Sequence, residues 1–207
     1  MPSPRTAEHA PSAASSPAGI AASLLAVTCW GVGNTIIASI DLPGLATAFY
    51  RLAFAVVLYV PALYLSGGRL SRDSFRFGWR GGAAYGTDVA VFFIALQLTS
   101  VANATTINAL QPLVVMGFAA MMFGERIRGR HLGGAAAATA GVAMVAFGGA
   151  SNGSGDLVGD LVAVAALFAW AWYFIASKRA REHLPTLEYM TVMNTVAFLV
   201  VTPVALL

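Results

Sequence analysis

The chain has 207 residues, of which 58% are hydrophobic and only 10% are charged, with a net charge of +3. A soluble domain carries about 25% charged residues, so this composition indicates a membrane protein. The small net charge excludes the basic patch that a nucleic acid partner needs, and the single cysteine, Cys29, excludes an internal disulfide and a cysteine metal cluster.

The first residues, 1–17, are small, polar and rich in proline, which predicts a disordered cytoplasmic N-terminus. After them, seven apolar segments are each long enough, at about 20 residues, to cross a bilayer as a helix. Their predicted bounds are Ala18–Ile40, Leu45–Leu65, Gly81–Thr99, Val101–Phe123, Leu132–Ala150, Leu157–Ser177 and Leu187–Leu207. The sequence therefore predicts an all-α integral membrane protein, a multi-pass helical bundle in the lipid bilayer.

The basic residues predict how these helices are oriented. Eleven of the twelve lie before the first predicted helix or in the second, fourth and sixth loops, and the other loops contain neither lysine nor arginine. Because lysine and arginine are enriched in cytoplasmic loops, this alternation predicts that the N-terminus is cytoplasmic and that the protein lies in the cell membrane. The amino-acid composition indicates a bacterial cell. Arg51 is the exception, since it lies within the second predicted helix.

Two pairs of stretches indicate an internal repeat. LLAVTCWGVGNTIIAS, from Leu24, aligns with VAVAALFAWAWYFIAS, which ends at Ser177. LPGLATAFYRLAFAVVLYVPALYL, from Leu42, aligns with LPTLEYMTVMNTVAFLVVTPVALL, from Leu184, and both the initial Leu-Pro and a later proline coincide. The copies begin five helices apart, an odd number, so the second copy enters the membrane from the opposite face. Inverted repeats of this kind are typical of secondary transporters.

This alignment divides the chain into a first five-helix repeat over residues 18–150 and a partial second repeat over residues 157–207, which has two helices. The second repeat would need three further helices to match the first. We therefore expect the chain to be a piece of a longer transporter. The alternative is a natural short form, an assisting membrane subunit without transport activity of its own.

Five motifs resemble one known family. They are CWGVGN, FYRLAFA, TSVANATTINALQPLVV, FGERIRGRHLGGAAAATAGVAMVA and GDLVAVAALFAWAWY. As a set they are similar to the EamA-type transporters of the drug/metabolite transporter superfamily. The resemblance implies two five-helix repeats with both termini cytoplasmic, and transport, mostly outward, of metabolites, amino acids or drugs. On this basis we expect an exporter of small molecules that works by alternating access, without a cofactor.

Arg51 is the first candidate for the substrate site. It lies about six residues into the second predicted helix, or ~9 Å below the outer edge. A charge that faces lipid costs about 2.5 kcal/mol or more, so we expect Arg51 to face the interior of the bundle. There its guanidinium could bind a carboxylate through two parallel hydrogen bonds. The alternative is an arginine that extends to the outer head groups.

Asp88 is the second charge within a predicted span, roughly seven residues or ~10 Å from the inner end of its helix. Ionisable residues at such depth often relay protons, so Asp88 is the candidate for coupling transport to a proton. The alternatives are a carboxyl that bonds to neighbouring backbone or one that lies in the inner interface. In a core of ~30 Å, Asp88 and Arg51 should differ in depth by about 10 Å, so direct pairing would require tilted helices.

Four polar residues are predicted near one level in the outer half of the membrane: Arg51, Asn34, Asn108 and Gln111. Asn108 and Gln111 share a helix face. Pro112 follows them and removes the hydrogen bond to the Asn108 carbonyl, which is tolerated only within protein or beside a cavity. These residues predict an aqueous substrate cavity; the alternative is that they bond helices together.

Aromatic residues complete the candidate set. Trp30, Trp170 and Tyr173 lie within predicted spans, where they either pack or form a stacking wall for an aromatic or cationic substrate. Asn194 is a weaker polar candidate.

No histidine has a partner at metal-ligand spacing, and no HExxH or GxSxG motif indicates an enzyme. A retinal protein is excluded because Lys178, the only lysine, lies in a predicted loop.

Overall fold

The computed structural model of the chain describes residues 17–38, 42–124, 128–148 and 156–206. These residues form eight helices and no strand, which confirms the all-α fold class. The helices are α1 Pro17–Ala38, α2 Gly44–Leu65, α3 Arg72–Leu98, α4 Val101–Asn108, α5 Gln111–Phe123, α6 Gly129–Gly148, α7 Leu157–Ala180 and α8 Thr186–Ala205. The predicted disordered N-terminus lies outside the described residues, apart from Pro17.

Each predicted span overlaps helix within the described residues. Five segments of the described chain are long and apolar enough to cross a membrane: Gly44–Leu65, Arg72–Leu98, Val101–Phe123, Leu157–Ala180 and Thr186–Ala205. The third combines α4 and α5. The two other predicted spans correspond to α1 and α6, which are 22 and 20 residues long. The chain is thus a multi-pass membrane protein.

The predicted start of the third span at Gly81 does not mark the start of its helix, because α3 begins at Arg72. A capping box starts it there: the Ser74 backbone N–H donates to Ser71 Oγ over 3.1 Å, and the Ser71 N–H donates to Ser74 Oγ over 2.8 Å. Hydropathy marks only the apolar part of a helix, so it could not predict the basic turns that come before.

The chain divides into two units at Pro43, and each is described by itself. In the first, α1 is a helix in which Ser23 Oγ donates to the Gly19 carbonyl over 2.9 Å. In the second, α3 packs against α7 and α8, while α2 packs against α8. One core of this unit consists of buried residues from α2, α3 and α8: Ala48, Leu52, Ala90, Ala197 and Val201.

Glycines on α3 allow α8 to approach closely. Gly78, Gly82 and Gly86 are spaced four apart and so lie on one face of α3. A Cβ on Gly82 would lie 2.7 Å from the Met193 carbonyl oxygen, and one on Gly86 would lie 2.9 Å from the Ala197 backbone. No side chain fits at those distances, so glycine is required for this packing.

Carboxylates link both ends of α3 to neighbouring helices. At the C-terminal end, Asp160 of α7 accepts hydrogen bonds from Thr99 Oγ1, at 2.6 Å, and from Asn103 Nδ2, at 3.2 Å. At the N-terminal end, Ser74 Oγ donates to Glu188 of α8. These contacts hold α3 in register with α7 and α8 and thereby position the side chains of the site.

Candidate functional site

A cleft of about 140 Å³ lies between α2, α3 and α8, and Arg51 supplies its positive charge. Ala48, Arg51, Leu52 and Ala55 line it from one face of α2, Tyr85, Val89 and Phe93 from one face of α3, and Asn194 from α8. The spacings of three, four and seven residues on α2, and of four and eight on α3, are those of side chains that share a helix face. Arg51 thus shares the cleft with apolar groups and two polar side chains, while much of its own side chain remains exposed.

Asn194 has a fixed orientation in this cleft. Its side chain is 7% exposed, and its Nδ2 donates to the Met190 carbonyl of the preceding turn over 2.8 Å. Tyr85 brings a phenol from the opposite wall. Arg51, Tyr85 and Asn194 thus provide a guanidinium, a hydroxyl and an amide around one small space, which can hold a group that accepts several hydrogen bonds.

Tyr85 also belongs to a cluster of aromatic rings between α3 and α7. Its ring centroid lies 5.1 Å from that of Tyr173 and 6.2 Å from that of Trp170. Trp170 in turn lies 5.3 Å from Tyr173 and 5.4 Å from Phe174. These separations are those of favourable ring contacts. The structure therefore brings the predicted aromatic residues Trp170 and Tyr173 next to the Arg51 cleft. Tyr85 belongs both to this ring cluster and to the lining of the cleft.

Asp88 is buried on α3, with 6% of its surface exposed. No described residue donates a hydrogen bond to its carboxylate, which does not line the Arg51 cleft. The expected depth difference of about 10 Å between Arg51 and Asp88 stays a prediction.

Asn108 and Gln111 lie at the break between α4 and α5, away from the Arg51 cleft. Gln111 Nε2 donates to Asn108 Oδ1, so the two predicted residues bond to each other. Pro112 accounts for this break, and next to it the Leu113 N–H bonds to the Leu110 carbonyl over 3.0 Å. The released Ala109 carbonyl lies 3.0 Å from Thr139 Oγ1 of α6, which provides a replacement donor.

Trp30 and Asn34 belong to α1, but their side chains lie outside the described residues. Both remain predictions, since they belong to the unit that is described separately from the Arg51 cleft.

Residues 17–147 match the EamA-like transporter family. The chain belongs to this family. This confirms the resemblance that the motifs indicated.

Two relatives of this EamA-like chain are informative. It is 36% identical over 92 residues to the aromatic amino acid exporter YddG of Ancylobacter novellus, a match that covers 42% of this chain and 32% of the exporter. A solved crystal structure superposes with a TM-score of 0.64 at 26% identity, over 81% of this chain and 58% of the other. The EamA-like chain thus matches only part of the length of either relative.

Sequence reasoning missed Tyr85 of this EamA-like chain. A single tyrosine within an apolar helix has the same local pattern whether it packs or binds a ligand. The usable signal was its spacing: Tyr85 lies one turn before Asp88 and lies on one helix face with Val89 and Phe93. Only the packing of α3 against α2, α7 and α8 shows that it connects the cleft with the ring cluster.

Proposed function

We propose that this chain belongs to a secondary transporter that exports amino acids with aromatic side chains across the cell membrane by alternating access. The observation that carries the proposal is the position of Tyr85, which lines the Arg51 cleft and contacts Trp170 and Tyr173. An amino acid presents a carboxylate next to its side chain. A guanidinium next to an aromatic wall complements both parts of such a substrate.

The size of the cleft supports a division of the substrate between two places. At about 140 Å³, the cleft is smaller than the ~300 Å³ or more of common ligand pockets. It has room for the carboxylate and amine of an amino acid but not for an aromatic ring as well. In this proposal the head group lies between Arg51 and Asn194, and the ring stacks on the cluster formed by Trp170, Tyr173 and Phe174.

Substrate range tests the proposal. The purified chain in detergent is titrated with phenylalanine, with alanine and with phenylalanine methyl ester, and binding is measured by calorimetry. Loss of hydrogen bonds to a charged group costs about 1.5–3 kcal/mol, so the ester should bind about 10–100-fold more weakly than phenylalanine. Alanine should also bind more weakly, because it has no ring to stack. Equal affinity for all three ligands would contradict the site.

Transport is tested separately in proteoliposomes loaded with phenylalanine, into which entry of labelled phenylalanine by exchange is followed. Exchange that alanine does not support would agree with export of aromatic amino acids. Specific binding without any exchange would instead favour the alternative, a membrane subunit without transport activity of its own.

A further inference from the structure

We propose that the chain binds one anionic phospholipid in a groove between α3, α5 and α7, with the phosphate at three arginines and an acyl chain along an adjoining apolar surface. This site is separate from the Arg51 cleft and does not depend on the proposed substrate.

The phosphate part of the site is a cleft of about 440 Å³, here named the arginine cleft. Arg76 and Arg80 line it from consecutive turns of α3, and Arg179 lines it from the last turn of α7. Phe123, at the end of α5, forms part of its wall. The carboxylate of Glu182 also lines the cleft, so its side chains keep an excess of two positive charges. The three guanidinium groups can together donate hydrogen bonds to the oxygens of a phosphate diester.

These guanidinium groups contact ring faces. Arg76 lies 5.7 Å from the ring centroid of Phe77, and Arg179 lies 5.6 Å from that of Phe123. Arg80 lies 5.7 Å from the centroid of Trp79. Within the described part of the chain, none of these three guanidinium groups takes part in a hydrogen bond or an ion pair. A ring face attracts a cation but leaves its N–H donors available to an anion.

The acyl part is a shallow groove of about 530 Å³, here named the apolar groove, which adjoins the arginine cleft. Arg80 and Trp172 line both, so the two spaces are continuous. Beyond them the groove passes Ala83 and Phe168, on the facing sides of α3 and α7. Small and aromatic side chains on two membrane-spanning helices form a surface that suits a hydrocarbon chain.

The combination favours a lipid over a soluble anion. A soluble phosphate needs only the arginine cleft, whereas a phospholipid also fills the apolar groove that continues into the membrane-spanning part of α3 and α7. Trp79 and Trp172 are 49% and 43% exposed, and tryptophan is enriched where lipid head groups meet the hydrocarbon core. Charge complementarity selects an anionic head group, as is usual for basic pockets at the cytoplasmic ends of helices.

Trp172 serves as the reporter of the test, because it lines both the arginine cleft and the apolar groove. A variant with Trp30→Phe, Trp79→Phe and Trp170→Phe keeps this single tryptophan. It is reconstituted into phosphatidylcholine vesicles that contain a small fraction of brominated phosphatidylglycerol or brominated phosphatidylcholine, and bromine quenching is measured. A basic residue near an anionic lipid contributes about fivefold in affinity, so quenching should favour phosphatidylglycerol by about fivefold or more.

Two matched controls separate the site from general surface charge. The first variant, Arg76→Gln, Arg80→Gln and Arg179→Gln, should lose the preference for phosphatidylglycerol. The second, Arg69→Gln, Arg72→Gln and Arg181→Gln, removes the same charge from arginines outside the arginine cleft and should keep it. In the apolar groove, Ala83→Phe should weaken quenching by either lipid, whereas Ala62→Phe, at an exposed position on α2, should not.

The proposal fails if both arginine variants lose the preference equally, since attraction by the whole basic surface would then explain it. Weak quenching of Trp172 by both lipids would also overturn it, because protein, such as a second copy of the chain, would then cover the groove. Mass spectrometry of the chain with all four tryptophans, in detergent with equal amounts of both lipids, checks that the reporter variant is representative. The chain with all four tryptophans should retain phosphatidylglycerol in preference to phosphatidylcholine.

Discussion

A guanidinium group within a membrane-spanning helix is stable only where polar groups or water surround it. Arg51 meets this condition through Tyr85 and Asn194, which line the same cleft. The remaining lining is alanine, leucine, valine and phenylalanine, so the rest of the cleft wall is apolar. Electrostatic attraction is stronger there than in water, which suits the binding of a single carboxylate.

Arg51→Ala should weaken binding of phenylalanine while the variant still inserts into the membrane. Loss of the charge-assisted hydrogen bonds removes about 1.5–3 kcal/mol, a decrease of about 10–100-fold in affinity. Calorimetry of the purified variant measures this. Arg69→Ala, at an exposed arginine between α2 and α3, is the control and should bind normally. Unchanged affinity of Arg51→Ala would mean that the side chain extends to the head groups instead.

Asp88→Asn should abolish accumulation of substrate driven by a pH gradient but retain exchange. A coupling carboxyl must alternate between ionised and neutral forms, and asparagine keeps its shape while fixing a neutral group. Uptake into proteoliposomes with and without an imposed gradient measures both activities. Asp73→Asn, at an exposed position in the first turn of the same helix, should behave as wild type. Gradient-driven accumulation by Asp88→Asn would eliminate the coupling role.

At the scale of single residues, the sequence identifies a candidate site residue where the chemistry of a side chain conflicts with its surroundings. Arg51 and Asp88 are charges within apolar helices, so each could be selected without a structure. Tyr85 conflicts with nothing around it, because tyrosine is ordinary in an apolar helix. Its role depends on three neighbouring helices, and such long-range packing is not encoded in the local pattern.

Among the elements, α3 is central, since it packs against α7 and α8 and presents Tyr85 to the cleft. Its register against α8 is set by glycines whose missing side chains let the backbones approach. Small residues have this role in membrane helices generally, because van der Waals packing replaces the hydrophobic effect there. A change in this register would move Tyr85 relative to Asn194 and alter the cleft.

Gly86→Ala should therefore destabilise the protein by about 1–3 kcal/mol, the usual cost of overpacking. Its Cβ would lie 2.9 Å from the backbone of Ala197, which cannot move without shifting α8. Unfolding by sodium dodecyl sulfate in mixed micelles measures the change in the free energy of unfolding.

Gly117→Ala on α5 is the matched control for this prediction. A Cβ at Gly117 would meet no atom within 4 Å, and alanine is favoured over glycine in a helix by about 0.5–1 kcal/mol. This variant should be as stable as wild type or slightly more so. Equal destabilisation by both substitutions would mean that helix packing at Gly86 is not the cause.

For the molecule as a whole, hydropathy predicted the positions of the five membrane-spanning segments that the described residues contain, because a bilayer imposes a length on every helix. It could not predict the capping box that starts α3 at Arg72, nor where α4 ends before Pro112, since local hydrogen bonds decide both. The inverted repeat and the orientation stay predictions. The repeat follows from the alignment of two pairs of stretches, and the orientation follows from the alternation of basic loops, which an experiment on topology can test.

The last prediction concerns that orientation: the N-terminus should be cytoplasmic. Cys29 is first replaced by alanine, and single cysteines are then introduced at Ser151, in the predicted loop without lysine or arginine before α7, and at Glu182, which is exposed between α7 and α8. An impermeant maleimide applied to intact cells should label Ser151→Cys and not Glu182→Cys. Both should react after the membrane is permeabilised, which shows that each thiol is accessible. Labelling of Glu182→Cys alone in intact cells would reverse the topology and place the arginine cleft in the outer leaflet.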